Sequence, residues 1–115
     1  MAKINALQFI LPVKNLDSAA KFYCDVFDLE EMFRNESIVF VGIPGTESAV
    51  GLLLEPKEAG SGLRHVGLHV DHDLDRADVL AAIKQAGGSV VEEGEHGPGL
   101  PWARIADPDG NVLEI

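Results

Sequence analysis

The sequence predicts an α+β fold of two βαβββ modules in tandem, their strands forming one curved mixed sheet with the helices on its convex side. Three observations predict it. Two strand-like stretches, 8–13 (QFILPV) and 65–70 (HVGLHV), sit in corresponding places 57 residues apart, each followed by a short polar turn and a helical pattern. Between the copies, 56–62 (PKEAGSG) has the Pro, Gly and Ser content of a linker. One βαβββ copy is also too small to bury its own sheet face, so two must pack or extend each other's sheet, which leaves the opposite face concave. The expected organisation is a single domain over 1–115, with modules at about 4–55 and 63–115.

Within the first module, 4–13 alternates, with Leu7, Phe9, Leu11 and Val13 on one face and Gln8, Ile10 and Pro12 on the other. Asp17 or Ser18 is placed to cap a helix whose Ala19, Phe22, Tyr23, Val26 and Phe27 recur at helical spacing and are read as core. Short strands follow at 29–34, 38–43 and 49–55, divided by Asn35-Glu36-Ser37 and Pro44-Gly45. The second module opens with a strand at 63–70. Asp75 can cap a helix bearing Val79, Leu80, Ile83 and Ala86, with Leu74 as a staple on Val79 and Gly87-Gly88 as its stop. Strands are then expected at 89–92, 102–106 and 111–115, the last two joined by Asp107-Pro108-Asp109-Gly110 as a type I turn with a glycine bulge.

Composition narrows the function. At 115 residues, roughly two-thirds of the unfolded surface can be buried, enough for a hydrophobic core without disulfides or a structural metal. The 46% apolar content agrees. Nine Lys+Arg against 19 Asp+Glu give a net charge of −10, which repels a phosphate backbone and excludes nucleic acid as a partner. Cys24, the single cysteine, has no internal disulfide partner. The first residues lack the apolar run of a signal peptide, and no stretch approaches the roughly 18 apolar residues of a membrane helix. A cytoplasmic protein without a membrane partner is expected.

The segments Leu11-Pro12-Val13-Lys14-Asn15-Leu16, Phe22-Tyr23-Cys24-Asp25-Val26-Phe27-Asp28-Leu29, Arg64-His65-Val66-Gly67-Leu68-His69-Val70 and Asp107-Pro108-Asp109-Gly110-Asn111-Val112-Leu113-Glu114 carry a resemblance over essentially the whole chain. In this order and spacing the chain resembles the vicinal oxygen chelate superfamily: glyoxalase I, extradiol dioxygenases, fosfomycin- and bleomycin-resistance proteins and methylmalonyl-CoA epimerase. The resemblance implies metal ligands from the first and last strand of each module. Gln8, His65 and Glu114 fall on three of those four positions, and strand alternation puts all three on the helix-free face. The fourth falls at or near Gly51, which offers no side chain. Glu55 shares its parity, but four strand residues span roughly 13 Å, so it reaches the same centre only with a shifted register.

An imidazole, a carboxylate and an amide oxygen with positions left for water suit a divalent ion, Mn, Fe, Ni or Zn, or the site works without metal. Glu114 is also the candidate catalytic base. Trp102 and Arg104 alternate to one face beside the Gly/Pro-rich loop 94–101, so Trp102 can stack on a planar ligand and Arg104 can pair with an anionic group. His69 is read as a substrate-binding wall, while His72 and His96 are read as loop residues, His96 bordering the cavity.

Three functions remain open on the resemblance. The first is a metal-dependent lyase or isomerase of glyoxalase type acting on a small oxygenated substrate. The second is a metal-free sequestering protein, resembling bleomycin-resistance proteins, whose acidic charge attracts a cationic drug. The third, an extradiol-type dioxygenase, ranks lower because Tyr23, the only tyrosine, is expected in the helix core. Each implies a small-molecule partner and a homodimer.

Overall fold

A computed structural model describes residues 4–70 and 75–115. Its elements run β1 (Ile4–Val13), α1 (Leu16–Phe27), β2 (Glu30–Arg34), β3 (Ile38–Gly42), β4 (Ala49–Leu54), β5 (His65–Val70), α2 (Arg76–Gln85), β6 (Ser89–Glu95), β7 (Pro101–Ala106) and β8 (Val112–Glu114). This is the βαβββ pattern twice. Hydrogen bonding orders the strands β2-β3-β4-β1-β5-β8-β7-β6 in an eight-stranded mixed sheet, in which β1 pairs parallel with β4. The staple residue Leu74 and the loop residue His72 lie outside the described residues. No helix among the described residues is long and apolar enough to cross a membrane.

Contacts gather the chain into two compact units: Leu7–Val66, and the segment through Ala6 together with Gly67–Ile115. The Leu7–Val66 unit has its core where α1 meets the sheet. Ala20, Val39, Val41 and Leu52 are buried together, with Leu11, Val13, Leu16, Ala19, Tyr23, Cys24, Leu29 and Val50 packed against them. Full burial of side chains such as Val39, Val41 and Leu52 contributes roughly 1.5–3 kcal/mol each.

The helix starts and turns differently from expectation. Asn15 is its cap, its Oδ1 accepting from the Ser18 amide at 2.9 Å, while Asp17 instead takes Arg34 Nη1 at 2.7 Å. Leu16, Ala19, Ala20, Tyr23 and Cys24 form the buried stripe, one position round from the one expected. Small Ala20 and Cys24 let the helix approach the sheet closely, and larger rings would hold it off. Phe22 and Phe27 therefore stay 54% and 59% exposed. They meet edge-to-face at 6.0 Å between centroids, and Phe22 meets Tyr23 edge-on at 5.2 Å.

After β4, segment 56–62 is a run of turns, with Glu58 N–H donating to Glu55 and Ser61 N–H to Glu58. In the other unit, Asp75 caps α2 through the Ala77 amide at 2.8 Å, as expected. Gly87, at φ 97°, ends it in a backbone region that favours glycine. Strand β6 runs to Glu95, three residues past the expected end, and its register against β7 shifts between Val90 and Glu92. This bulge takes Val91 out of the pairing and turns Glu92 to the side opposite Val90.

Candidate functional site

The second unit brings three of the predicted residues together. On β7, Trp102 and Arg104 project to one face while Ala103 and Ile105 are buried on the other. On β8, Glu114 is the direct cross-strand partner of Arg104, and on β6 Glu92 is its partner from the other side. A row Glu92–Arg104–Glu114 thus crosses three strands, with Trp102 beside it.

The row has internal order. Arg104 Nη1 donates to Glu92 Oε2 at 2.5 Å. Its guanidinium carbon lies 4.7 Å from the Trp102 ring centroid, a cation–π contact, and its buried Nε has no hydrogen-bond partner. The indole lies against Gly94, where a Cβ would come 2.5 Å from Trp102 Cζ2. Trp102 can occupy that space because its partner is glycine. His96 approaches the indole at 6.0 Å between centroids, and burial first, then the Arg104 charge, lowers its pKa.

Glu114 is half-buried. Desolvation pushes its carboxyl pKa above the ordinary range, against the opposing pull of Arg104. Its strand end is fastened: Ile115 and Ala103 exchange two backbone hydrogen bonds of 2.9 Å, and Arg76 Nη2 donates to the Ile115 carbonyl at 3.2 Å. His69, on β5 of the same unit, donates from Nδ1 to Asn5 Oδ1 at 2.5 Å.

The remaining predicted residues lie in the other unit. Gln8 is half-buried on β1 as the partner of Ala49, and His65, at the start of β5, is the one buried polar side chain among the described residues. The Gly51 position is closed, because a Cβ there would meet Ile10 Cδ1 at 2.6 Å and Phe40 Cε1 at 2.8 Å. Glu55 does not replace it. Its Oε1 accepts from Arg64 Nε at 3.1 Å. Among the described residues no group of three or more His, Cys, Asp or Glu could hold a metal ion. One imidazole, one carboxylate and one amide do not complete the four-ligand set the resemblance implies.

Sequence reading missed Glu92, Gly94 and Arg76. The signal for Glu92 was present, since Val90-Val91-Glu92-Glu93 breaks strict alternation where the bulge occurs.

The family model of the Glyoxalase/Bleomycin resistance protein/Dioxygenase superfamily matches residues 3–115. The chain belongs to this superfamily. A probable lactoylglutathione lyase of Vibrio parahaemolyticus is 30% identical over 131 residues, spanning 100% of this chain and 91% of that protein. A lactoylglutathione lyase of Haemophilus influenzae is 28% identical over 95% of this chain and 89% of its own length. Among solved structures, methylmalonyl-CoA epimerase from Mycobacterium tuberculosis superposes with a TM-score of 0.73 at 16% identity, covering 96% of this chain and 86% of that one. The structural likeness shows the superfamily fold.

Proposed function

We propose that the chain is a glyoxalase-like lyase or isomerase that moves a proton on a small oxygenated substrate, with Glu114 as the base. The observation that carries this is the placement of Glu114: half-buried, fastened by its strand end, opposite Arg104 and on the face of Trp102. A carboxylate partly stripped of water is a stronger base than a solvated one, and the relevant step is removal of a proton from carbon beside a carbonyl and its return to the neighbouring atom. Trp102 and Arg104 line the substrate's approach.

The test is turnover of 2-oxoaldehyde hemithioacetals by wild type and Glu114→Gln, with metal analysis of both. Loss of a positioned base lowers kcat by about 10²–10⁴-fold. Glu114→Gln should show that loss with an unchanged circular dichroism spectrum and a thermal midpoint no lower than wild type. Retained kcat would overturn the reading. So would stoichiometric Mn, Fe, Ni or Zn that His65→Ala abolishes and whose chelation stops turnover.

A second reading, metal-free sequestering of a drug-like ligand, is favoured by the closed Gly51 position and the ordered Trp102–Arg104 stack. It predicts saturable quenching of Trp102 by cationic aromatic compounds, and flat titrations would remove it. Dioxygenase chemistry gains no such support, because Tyr23 packs against the core.

A further inference from the structure

We propose that the Trp102–Arg104–Glu114 face accepts a neutral or cationic ligand and turns anions away, with Glu92 setting that selectivity by holding Arg104. The inference rests on the small-molecule reading of this face and names the charge class of what binds there.

Arg104 is the only cationic side chain on β6, β7 and β8. A lone arginine beside a tryptophan would ordinarily mark a place for a carboxylate or phosphate. Here most of the guanidinium is already engaged. Nη1 donates to Glu92, one face lies on the indole, and Nε is buried, which leaves Nη2 as its remaining donor. Glu92 and Arg104 cancel. Glu114 adds a negative charge when ionised and nothing when protonated, so in neither state is the row positive.

Among the described residues of the unit, no other Lys or Arg reverses this. Within the unit, Arg76 is bound to the Ile115 carbonyl and Lys84 lies in the last turn of α2. Glu93 and Glu95 flank Gly94 on the same strand but alternate to the opposite face, so they add to the unit's overall charge and not to this row. An anionic ligand would have to displace Glu92 from Arg104, or bind through Nη2 alone with Glu92 and Glu114 as the cross-strand neighbours on either side. A neutral or cationic one meets an aromatic wall and a carboxylate.

Glu92 is therefore a specificity-determining residue, placed by the Val91 bulge. Without the bulge its side chain would share the opposite face with Val90. Glu93 supplies the control. It pairs with Ala103, points to the other face, and its replacement changes total charge equally.

Trp102, the only tryptophan, reports the charge at this face directly. Fluorescence quenching by iodide, caesium and neutral acrylamide is measured on wild type, Glu92→Gln and Glu93→Gln, each constant taken relative to that quencher's value for N-acetyltryptophanamide, with acrylamide correcting for accessibility. Caesium should quench wild type at least about threefold better than iodide. In Glu92→Gln that ratio should fall severalfold as Arg104 is released, and in Glu93→Gln it should stay within about a third of wild type. Equal changes in the two variants, or iodide quenching wild type as well as caesium does, would overturn the proposal.

A second arm compares hemithioacetals of one 2-oxoaldehyde with anionic glutathione and with cationic 2-(dimethylamino)ethanethiol, whose tertiary amine cannot close onto the aldehyde. Wild type should favour the cationic adduct in kcat/KM, and Glu92→Gln should shift the ratio toward glutathione by about tenfold. Preference for the glutathione adduct in wild type would also overturn the proposal. Quenching as expected with turnover of neither adduct leaves the charge selectivity standing and removes the lyase reading, so the two fail separately.

Discussion

In the Leu7–Val66 unit, the strand face turned away from α1 is filled by the protein itself. Ile10 and Ile38 are buried, and Ile10 and Phe40 close over Gly51. In the other unit, the face turned away from the buried Ala103 and Ile105 carries Trp102, Arg104, Glu92 and Glu114. The backbone order of the two copies is the same and their chemistry is not. A βαβββ repeat needs only alternating apolar residues on the side that packs, so the other side is free to diverge, one copy toward an apolar plug and the other toward polar groups. The two glycines show the contrast most directly. Gly51 makes room for aliphatic and phenyl packing, and Gly94 makes room for an indole that carries a guanidinium.

The largest effect expected from breaking this contrast is at Gly51. A methyl group there collides with two side chains, one of them fully buried Ile10, so Gly51→Ala should cost about 1–3 kcal/mol by overpacking. Urea unfolding measures it, and Trp102 emission of the folded protein should not change. A neutral Gly51→Ala would show the plug to be soft and the position able to accept a ligand-bearing residue. Gly94→Ala sharpens the comparison from the other side. The Trp102 ring must move because three of its atoms lie 2.5–3.1 Å from the added carbon. Part of the strain is relieved at the half-exposed face, so the cost should be nearer about 1 kcal/mol. The emission maximum should shift and the caesium-to-iodide ratio should fall, since moving the ring also loosens Arg104. An unaltered spectrum would mean that the glycine does not position the indole.

The repeat was legible because periodicity, linker and turns all agreed, and β1 runs over the expected residues. The α1 face was not, because hydrophobicity cannot tell a stripe that packs from one beside it when both contain apolar residues. Size decided it, with Ala20 and Cys24 inside and Phe22 and Phe27 outside. Of the candidate site, alternation places Trp102 and Arg104 on one face, while Glu114 is singled out by its position in the family resemblance together with strand parity. Arg104's partner was not readable from strict alternation, which puts Glu92 on the face of Val90; only the break in Val90-Val91-Glu92-Glu93 signals the single-residue bulge that reverses it. The Gly51 plug lay beyond a sequence reading for a related reason. Which side chains close over a glycine depends on cross-strand register, here Ile10 from β1 and Phe40 from β3.

The smallest contrast lies in the turns. Asn35, between β2 and β3, accepts the amides of Ser37 at 2.8 Å and Ile38 at 2.9 Å through its side-chain oxygen. Asp107, between β7 and β8, accepts the amides of Asp109 and Asn111 and the side chain of Asn111, each at 2.9 Å. The first unit thus uses a neutral oxygen where the second uses a charged one. The Asn111 side chain first, and then the backbone amides, hold the Asp107 pKa below its ordinary value of 3.8. A depressed carboxyl pKa means that the unfolded chain takes up the proton first as pH falls. The turn's contribution is therefore present above that ordinary value and lost as pH drops through the folded one. Asp107→Asn should lower the thermal midpoint at neutral pH, with the difference closing as the pH is taken below 3.8. Asn35→Asp should import the same acid sensitivity into the first unit, because an aspartate there would accept the same two amides. Parallel midpoints for wild type and Asp107→Asn across that range would mean that the turn is held by its backbone conformation, with Gly110 at φ 89° and the Gly110–Asp107 hydrogen bond, and not by the charge.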